Sequence, residues 1–333
     1  MAASIKDVAR EAGVSIATVS RVLNEIDVVN EDTKKKVLDA IKKLNYRPNI
    51  VARSLKTQKT KTIGIIIPDI SSQVYSEIAR GAEDVSNIYG YNVILCNTDL
   101  DTEKEMEYIK VLKEKMVDGI IYMSNSLEDG IVDLLKELSL PTVLVETSDK
   151  DNIFPSVTID NEKAAFDAVE YLINKGDKLI AYIGTGEELS NACSERFEGY
   201  KKALEKNNID IKDGLIRHCS LKAKDGYEAV SSMIKNKEKM DAIFCGSDEV
   251  AMGAINSLRD HNVKVPDDVD VMGFDNISAA SLFYPKLTTV EQQMYDMGSV
   301  GMRMLIKIIG KKKLDNEHYI LDHVLVERDS CKK

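Results

Sequence analysis

Tryptophan is absent from this 333-residue chain, and histidine and cysteine are sparse. His218, His261, His318 and His323 are scattered, so no spacing gathers them as metal ligands. Cys96, Cys193, Cys219, Cys245 and Cys331 are odd in number and widely spread, with no close pair. Four of them sit in or beside apolar segments, as reduced structural cysteines do, which speaks against a disulfide framework or a zinc site. No apolar run reaches about 18 residues and the N-terminus has no signal-peptide pattern, so a cytoplasmic protein without a membrane segment is expected. Enzyme signatures are missing too. There is no G-x-S-x-G elbow, no Cys/His nucleophilic pair and no Walker motif. Gly184-Thr185-Gly186-Glu187-Glu188-Leu189 follows a strand but lacks the third glycine, and it puts two carboxylates where a pyrophosphate would lie. It reads as a turn rather than a dinucleotide site, and no cofactor is expected.

What is present is 44% hydrophobic and 30% charged residues, an ordinary composition for two or three domains. The charge is unevenly divided. Residues 1–61 hold 13 Lys/Arg against 7 Asp/Glu, a local charge of +6, while the remainder carries −16 within an overall −10. A basic head on an acidic body suits phosphate contacts made by the head alone. In that head Ile5, Val8, Ala9 and Ala12 recur at helical spacing, then comes Gly13, then Ser15 as a cap. This is helix, tight turn, helix. In the second helix Val19, Val22 and Leu23 form the side to be buried, leaving Ala17, Thr18, Ser20, Arg21 and Asn24 on a face that can enter a DNA groove. Asn30 can cap a third helix, Glu31 to Asn45, whose Val37, Leu38, Ile41 and Leu44 would close a three-helix core.

Pro48 ends that helix by restricting Arg47, and Asn49 can cap a short segment, Ile50 to Lys56, before a polar linker to Thr62. Such a segment is too short to be helical alone, and its Ile50, Val51, Ala52 and Leu55 are more than a solvated linker needs. It reads as a helix that orders against something else, with a flexible linker as the alternative. From Ile63 the pattern alternates strand and helix: strands Ile63–Pro68, Asn92–Cys96, Gly119–Met123 and Thr142–Val145, then a second cycle through Leu179–Ile183, Ile216–Cys219, Ala242–Cys245 and Val269–Phe274. Apolar runs between helices imply buried parallel strands in two α/β lobes of similar plan. Loops at the carboxyl ends of such strands gather around ligands. Here they carry Asp69, Ser71, Ser72, Asn97, Glu146, Arg196, Ser247, Asp248, Asp275 and Asn276, enough polar groups for a cleft around a small polar molecule. Helix capping is the alternative role for Ser247, Asp248 and Asp275.

The motif Ile5-Lys6-Asp7-Val8-Ala9 through Thr18-Val19-Ser20-Arg21-Val22-Leu23-Asn24, with Asn45-Tyr46-Arg47-Pro48-Asn49, resembles the lactose-repressor family. The resemblance runs through Gly246-Ser247-Asp248-Glu249 and Gly273-Phe274-Asp275-Asn276, and so covers essentially the whole chain. It implies an all-α helix-turn-helix head on a two-lobed periplasmic-binding-protein-like core with doubly wound parallel sheets. The expected division is head 1–48, hinge and linker 49–61, and core 62–333, with lobe 1 about 62–161 plus 292–322 and lobe 2 about 162–291 plus 323–333. It further implies a homodimeric repressor on pseudo-palindromic DNA, contacted by Ser15, Ala17, Thr18, Ser20, Arg21, Asn24, Tyr46, Asn49, Ala52, Arg53 and Leu55. Leu55 matches the leucine that wedges between base steps and bends the operator. In the cleft Asp69, Ser71, Arg196, Ser247 and Asp275 would meet an effector. Leu221 stands near where sugar-binding relatives place an aromatic ring, which argues against a stacked sugar and leaves room for a phosphorylated sugar or a nucleotide.

Within that family Thr62 to Ser71, Ala79 to Asp84 and Met294-Tyr295-Asp296-Met297-Gly298 resemble the branch that governs carbon catabolite repression in Gram-positive bacteria. There the phosphocarrier protein HPr, phosphorylated on serine, is the corepressor, and the likeness transfers its surface to Asp84, Tyr89, Met294, Tyr295, Asp296, Arg303 and Lys307. The spacing supports this independently. On a helix from Tyr295 to Ile309, Tyr295, Ser299, Arg303 and Lys307 form one stripe with two like charges one turn apart and no acidic member. A phosphoserine could pair with both cations, whereas the alternative is a solvated basic edge beside Lys311-Lys312-Lys313.

Overall fold

The computed structural model describes residues 3–23, 29–46, 59–124, 127–147, 149, 151–186 and 192–332. Two compact units emerge, Met1–Thr60 and Lys61–Lys333. The expected hinge segment lies outside the described residues.

The first unit holds α1 (Ile5–Ala12), α2 (Ile16–Leu23) and α3 (Glu31–Lys43). Ser4 and Asp7 form a reciprocal capping box that starts α1, and Gly13 ends it at a φ of +66°, a left-handed position that glycine adopts without steric cost. Asn30 caps α3 through Thr33 N at 2.8 Å. Val8, Ala9, Val19, Val22, Val37 and Ala40 make the core, with Ile41 and Leu44 packed at its edge. Leu38, expected inside, is 49% exposed. One residue after Val37, it lies about 100° round the helix, and the inward positions 37, 40, 41 and 44 already fill the small interior.

In the second unit, one sheet contains β1 (Thr62–Ile67), β2 (Asn92–Asn97), β3 (Gly119–Tyr122), β4 (Thr142–Val145), β5 (Ser156–Ile159) and β11 (His318–Leu321). Their order is β11-β5-β4-β3-β1-β2, and every pairing is parallel. The other contains β6 (Ile180–Gly184), β7 (Ile216–His218), β8 (Ala242–Cys245), β9 (Asp270–Asp275), β10 (Thr288–Gln292) and β12 (His323–Val326). Its order is β12-β10-β9-β8-β6-β7, parallel except for β12 against β10. The central strands are almost wholly buried, as continuous apolar runs require: Ile63, Ile65, Ile66 and Ile67 of β1 are inaccessible.

Helices α4 (Gln73–Ile88), α5 (Thr102–Glu114), α6 (Asp129–Leu138) and α11 (Met294–Ile309) accompany the first sheet. Helices α7 (Asn161–Asn174), α8 (Ala192–Lys206), α9 (Ala223–Lys235) and α10 (Asp248–Asp260) accompany the second. The chain passes between the lobes three times: after β5, after β10 and between β11 and β12. Among the described residues no helix is long and apolar enough to cross a membrane.

Candidate functional site

The head presents α2 with Val19 and Val22 buried and Ala17 and Arg21 exposed. Ser15 Oγ accepts from Thr18 N at 3.1 Å and lies 2.9 Å from Thr18 Oγ1, so both hydroxyls help start the helix. Ser20 is half-buried, and Tyr46 packs against the head core with its amide donating to Ile41 O at 3.0 Å. Ser15, Ala17, Thr18 and Arg21 therefore gather at the start and outer face of α2. Asn24, Asn49, Ala52, Arg53 and Leu55 lie outside the described residues. The capping box at Ser4 was missed in the sequence, though a Ser three residues before an Asp at the head of an apolar run signals it.

Between the lobes the carboxyl ends of the strands enclose about 100 Å³, bordered by Asp69, Gln73, Glu146, Arg196, Leu221, Lys222 and Asp275 among others. Ligand pockets commonly measure ~300–1,000 Å³, so the space is small. Part of its wall is a buried ionic cluster. Arg196, on α8, donates through Nε to Asn161 Oδ1 (2.9 Å), through Nη1 to Gly246 O (2.8 Å) and Asp275 Oδ1 (3.3 Å), and through Nη2 to Glu146 Oε1 (3.1 Å). The guanidinium also covers the Phe274 ring at 3.8 Å. Glu146 sits in the turn after β4, so its pair with Arg196 joins the two lobes. Burial pushes the Glu146 carboxyl up to about 7 and that of Asp275 up to about 6, each against the pull of Arg196. Glu146 at φ +56° and Asp275 at φ +110° are non-glycine residues in left-handed backbone. Such conformations cost of order 1 kcal/mol or more and persist where the surroundings fix them.

At the rim Lys222 Nζ reaches Asp69 Oδ2 at 2.6 Å, a second contact between the lobes. Hydrogen bonds from Lys222 and then Ser71 hold the Asp69 carboxyl down to about 2. Gln73 and Ser278 make a third, with Gln73 Nε2 donating to Ser278 Oγ at 2.5 Å and Ser278 N donating to Gln73 Oε1 at 3.1 Å. The structure thus brings Asp69, Arg196 and Asp275 to the cleft, where Asp69 is committed to Lys222 and Arg196 to Asp275 and Glu146. Ser71 gives its hydroxyl to Asp69 at 2.6 Å, and buried Ser247 caps α10 at Val250 N (3.3 Å), as the capping alternative anticipated. Glu146 was recognised only as one loop residue among ten. Its role depends on a partner 50 positions away, which no local pattern discloses.

The third surface lies on α4 and α11. Their backbones touch where they cross: an added Cβ at Gly81 would fall 2.0 Å from Tyr295 O, and one at Gly298 1.9 Å from Ile78 O. This approach sets Tyr295 Oη 3.0 Å from Asp84 Oδ2, which Arg80 Nε also reaches at 3.3 Å. One turn apart along α11, Arg303 is exposed and Lys307 half-exposed. Arg303 Nη1 donates to Ser299 Oγ at 3.3 Å, and among the described residues no carboxylate lies within ion-pair distance of it. One expectation needs correction. Met294 is buried, because in the first turn of α11 it points to the core, so the exposed apolar groups beside the stripe are Ile88 and Tyr89. The stripe itself has no acidic member, and Lys307 takes a partner from off it, Asp315 at 2.6 Å, supplied by the loop beyond the helix. Asp315 is largely exposed and Lys307 half-exposed, so that pair is weak and exchangeable. Asp296 is exposed on the first turn of α11.

A helix-turn-helix head preceding a two-lobed core with sheets of this order defines a DNA-binding regulator with a ligand-binding type of body. Residues 4–49 match the family model for bacterial regulatory proteins of the lacI family, and residues 60–328 match that for periplasmic binding proteins and the sugar binding domain of the LacI family. The chain belongs to the LacI family, and it is a DNA-binding transcriptional regulator. It is 64% identical to the HTH-type transcriptional regulator RegA of Clostridium saccharobutylicum, over 99% of each chain. It is 45% identical to catabolite control protein A of Priestia megaterium, over the full length of both. Among solved structures it resembles the Lac repressor dimer bound to operator and an anti-inducer, with a TM-score of 0.89 and 25% identity over 99% of each chain.

Proposed function

We propose that this regulator mediates carbon catabolite repression or activation, binding pseudo-palindromic operators as a homodimer with serine-phosphorylated HPr as its corepressor. Residues 1–48 form the reading head, 49–61 the hinge with Leu55 as wedge, and 62–333 the regulatory and dimerisation core. The observation that carries the corepressor reading is Arg303: an exposed guanidinium without a carboxylate partner among the described residues, one turn from a cation whose own partner is exchangeable. A phosphoserine brings about −1.5 to −2 charges and could engage both, with the guanidinium supplying a fork. Exposed Tyr295, Ile88 and Tyr89 add apolar surface of the sort that protein interfaces use. The catabolite control proteins among the relatives agree with this reading. All the relatives named above are transcriptional regulators, and no turnover is proposed.

The second reading is a local repressor of the same family, controlled by a small sugar in the cleft between the lobes that touches Asp69, Ser71, Arg196, Ser247 and Asp275. The approximately 100 Å³ left between the lobes and the commitment of Arg196 to two carboxylates make an anionic ligand such as a sugar phosphate the harder fit. It would have to displace Glu146 from the guanidinium.

Calorimetric titration with phosphorylated and unmodified HPr tests the first reading. Arg303→Ala should abolish or greatly weaken binding of the phosphorylated form, and Lys307→Ala should weaken it less, since an ammonium is a point charge rather than a fork. Operator affinity without corepressor should match the parent in both variants. Equal affinities for phosphorylated HPr across all three proteins would reduce the stripe to a solvated edge and promote the cleft reading.

A further inference from the structure

Glu146 comes from the first lobe, Arg196 and Asp275 from the second, and none of the three is more than 6% exposed. Two carboxylates thus share one guanidinium at the place where the lobes meet. The described charged groups that face Glu146 are Arg196 and Glu195 on α8 and Asp275 at the end of β9, and Asp275 in turn faces Asp248 and Glu249 at the start of α10. The neutral groups completing the cluster are Asn161 at the start of α7, which holds Arg196, and Gln292 on β10, whose Nε2 donates to Asp275 Oδ1 at 2.7 Å. Among the described residues no second cation lies within ion-pair distance of either carboxylate. With both acids ionised the sealed cluster carries an uncompensated negative charge, and a proton removes it.

We propose that closing the two lobes takes up a proton at the Glu146–Arg196–Asp275 cluster, so that the closed core is favoured as the medium becomes more acidic around neutrality. Parting the lobes would hydrate Glu146 and return its carboxyl to the ordinary range near 4.3. In the closed core burial holds it at about 7. A group whose proton is bound more tightly in the closed state makes closure more favourable as pH falls, and the window runs from about 7 down to about 4. The two other polar contacts described between the lobes are silent there. Asp69, bonded to Lys222, titrates near 2, and Gln73 with Ser278 carries no charge. From pH 8 to pH 6 the closing equilibrium should therefore shift about tenfold through Glu146, while Asp275 keeps Arg196 and Gln292, its partners in its own lobe, in either state.

Hydrogen exchange of the full-length protein reads this directly, through the cleft amides of residues 69–73 and 275–278, corrected for intrinsic rates. Protection in the parent should be about tenfold greater at pH 6 than at pH 8. Glu146→Gln has the shape of the protonated acid, so it should stay well protected at pH 8 and lose most of the slope. Lys222→Ala should lower protection by a similar factor at every pH. A flat parent profile between pH 6 and pH 8 overturns the proposal and needs no variant. A Glu146→Gln profile as steep as the parent's overturns it as well.

Discussion

Gly81→Ala tests the crossing of α4 and α11, on which the geometry of the exposed stripe depends. The new Cβ would stand 2.0 Å from Tyr295 O and 3.2 Å from Ser299 N, where ordinary contact begins at 3.4 Å. The helices would have to part by more than 1 Å, because the obstacle is backbone and no rotamer relieves it. Replacing glycine inside a helix gains about 1 kcal/mol in propensity. Forcing extra volume into a packed contact costs about 1–3 kcal/mol, and a backbone obstacle belongs at the upper end of that range. The net expectation is a loss of about 1–2 kcal/mol, or about 2–8 °C in melting temperature. Gly130→Ala is the control. Its Cβ meets only the terminal methyl of Met106, at 2.9 Å, a flexible end that can swing aside. That variant should be neutral or up to about 1 kcal/mol more stable. Parting the crossing would also break the 3.0 Å bond from Tyr295 to Asp84, so Gly81→Ala should weaken binding of the proposed corepressor without touching Arg303. Urea unfolding of the three proteins decides the matter: a Gly81→Ala protein as stable as Gly130→Ala would refute the close-crossing argument.

The remaining expectations concern the head and the far end of the second lobe. Arg21→Ala should cost about 1–3 kcal/mol in operator affinity and relax preference at a guanine in each half-site, measured on base-substituted operators; equal loss on every sequence would make Arg21 a phosphate contact. Asp177 Oδ2 and Asp270 Oδ1 are buried without a hydrogen-bond donor among the described residues. Burial and the neighbouring Asp270 push the Asp177 carboxyl up to about 7, with Lys332 Nζ at 3.7 Å opposing. The folded state then binds more protons than the unfolded one between about pH 4 and 7, so stability falls as pH rises through that range. Asp177→Asn should melt a few degrees higher than the parent at pH 8 and show a flatter profile; a lower melting temperature with the parent's slope would count against the pairing.

Legibility in the sequence followed the range of the interactions involved. The head was readable because Val8, Val19, Val22 and Val37 recur at helical spacing with Gly13 and Asn30 as punctuation, all within 30 residues. The central strands were readable because burial on both faces demands unbroken apolar runs. The strands β5, β10, β11 and β12 were not read, being four or five residues long with Ser156, Thr288, Glu291, His318 and His323 among them. They lie next to the crossings between lobes, where a segment is held by pairing with strands far away in the chain. The stripe on α11 was readable at Tyr295, Arg303 and Lys307. It failed at Met294, whose direction depends on how the helix docks, and it was silent on Asp315, which the chain brings back from beyond the helix end. The cleft residues were found as a set of polar loop positions, yet that Arg196 is already satisfied by Glu146 could not be foreseen without the relative placement of the lobes.

That placement also separates the two sites of the core. Gln292, the last residue of β10, belongs to the second lobe and holds Asp275, while Met294 begins α11 in the first. One residue, Gln293, lies between them, so the chain passes from cleft to stripe in a single step. Mechanically the step is a joint rather than a lever. Beyond it Gly81 and Gly298 lock α11 against α4 by backbone contact, and Met297, Met302 and Leu305 are buried beneath, so α11 must move with the first lobe as one body. A partner seated on Ile88, Tyr89, Tyr295 and Arg303 would touch that body alone. It could therefore bias closure only by altering the joint or by bracing the first lobe against another molecule, since a ligand shifts an equilibrium only through contacts that differ between its states. The proton at Glu146, by contrast, acts on the contact between the lobes itself. The Arg303 and Glu146 substitutions consequently perturb different equilibria of one core, and their effects should add rather than compensate.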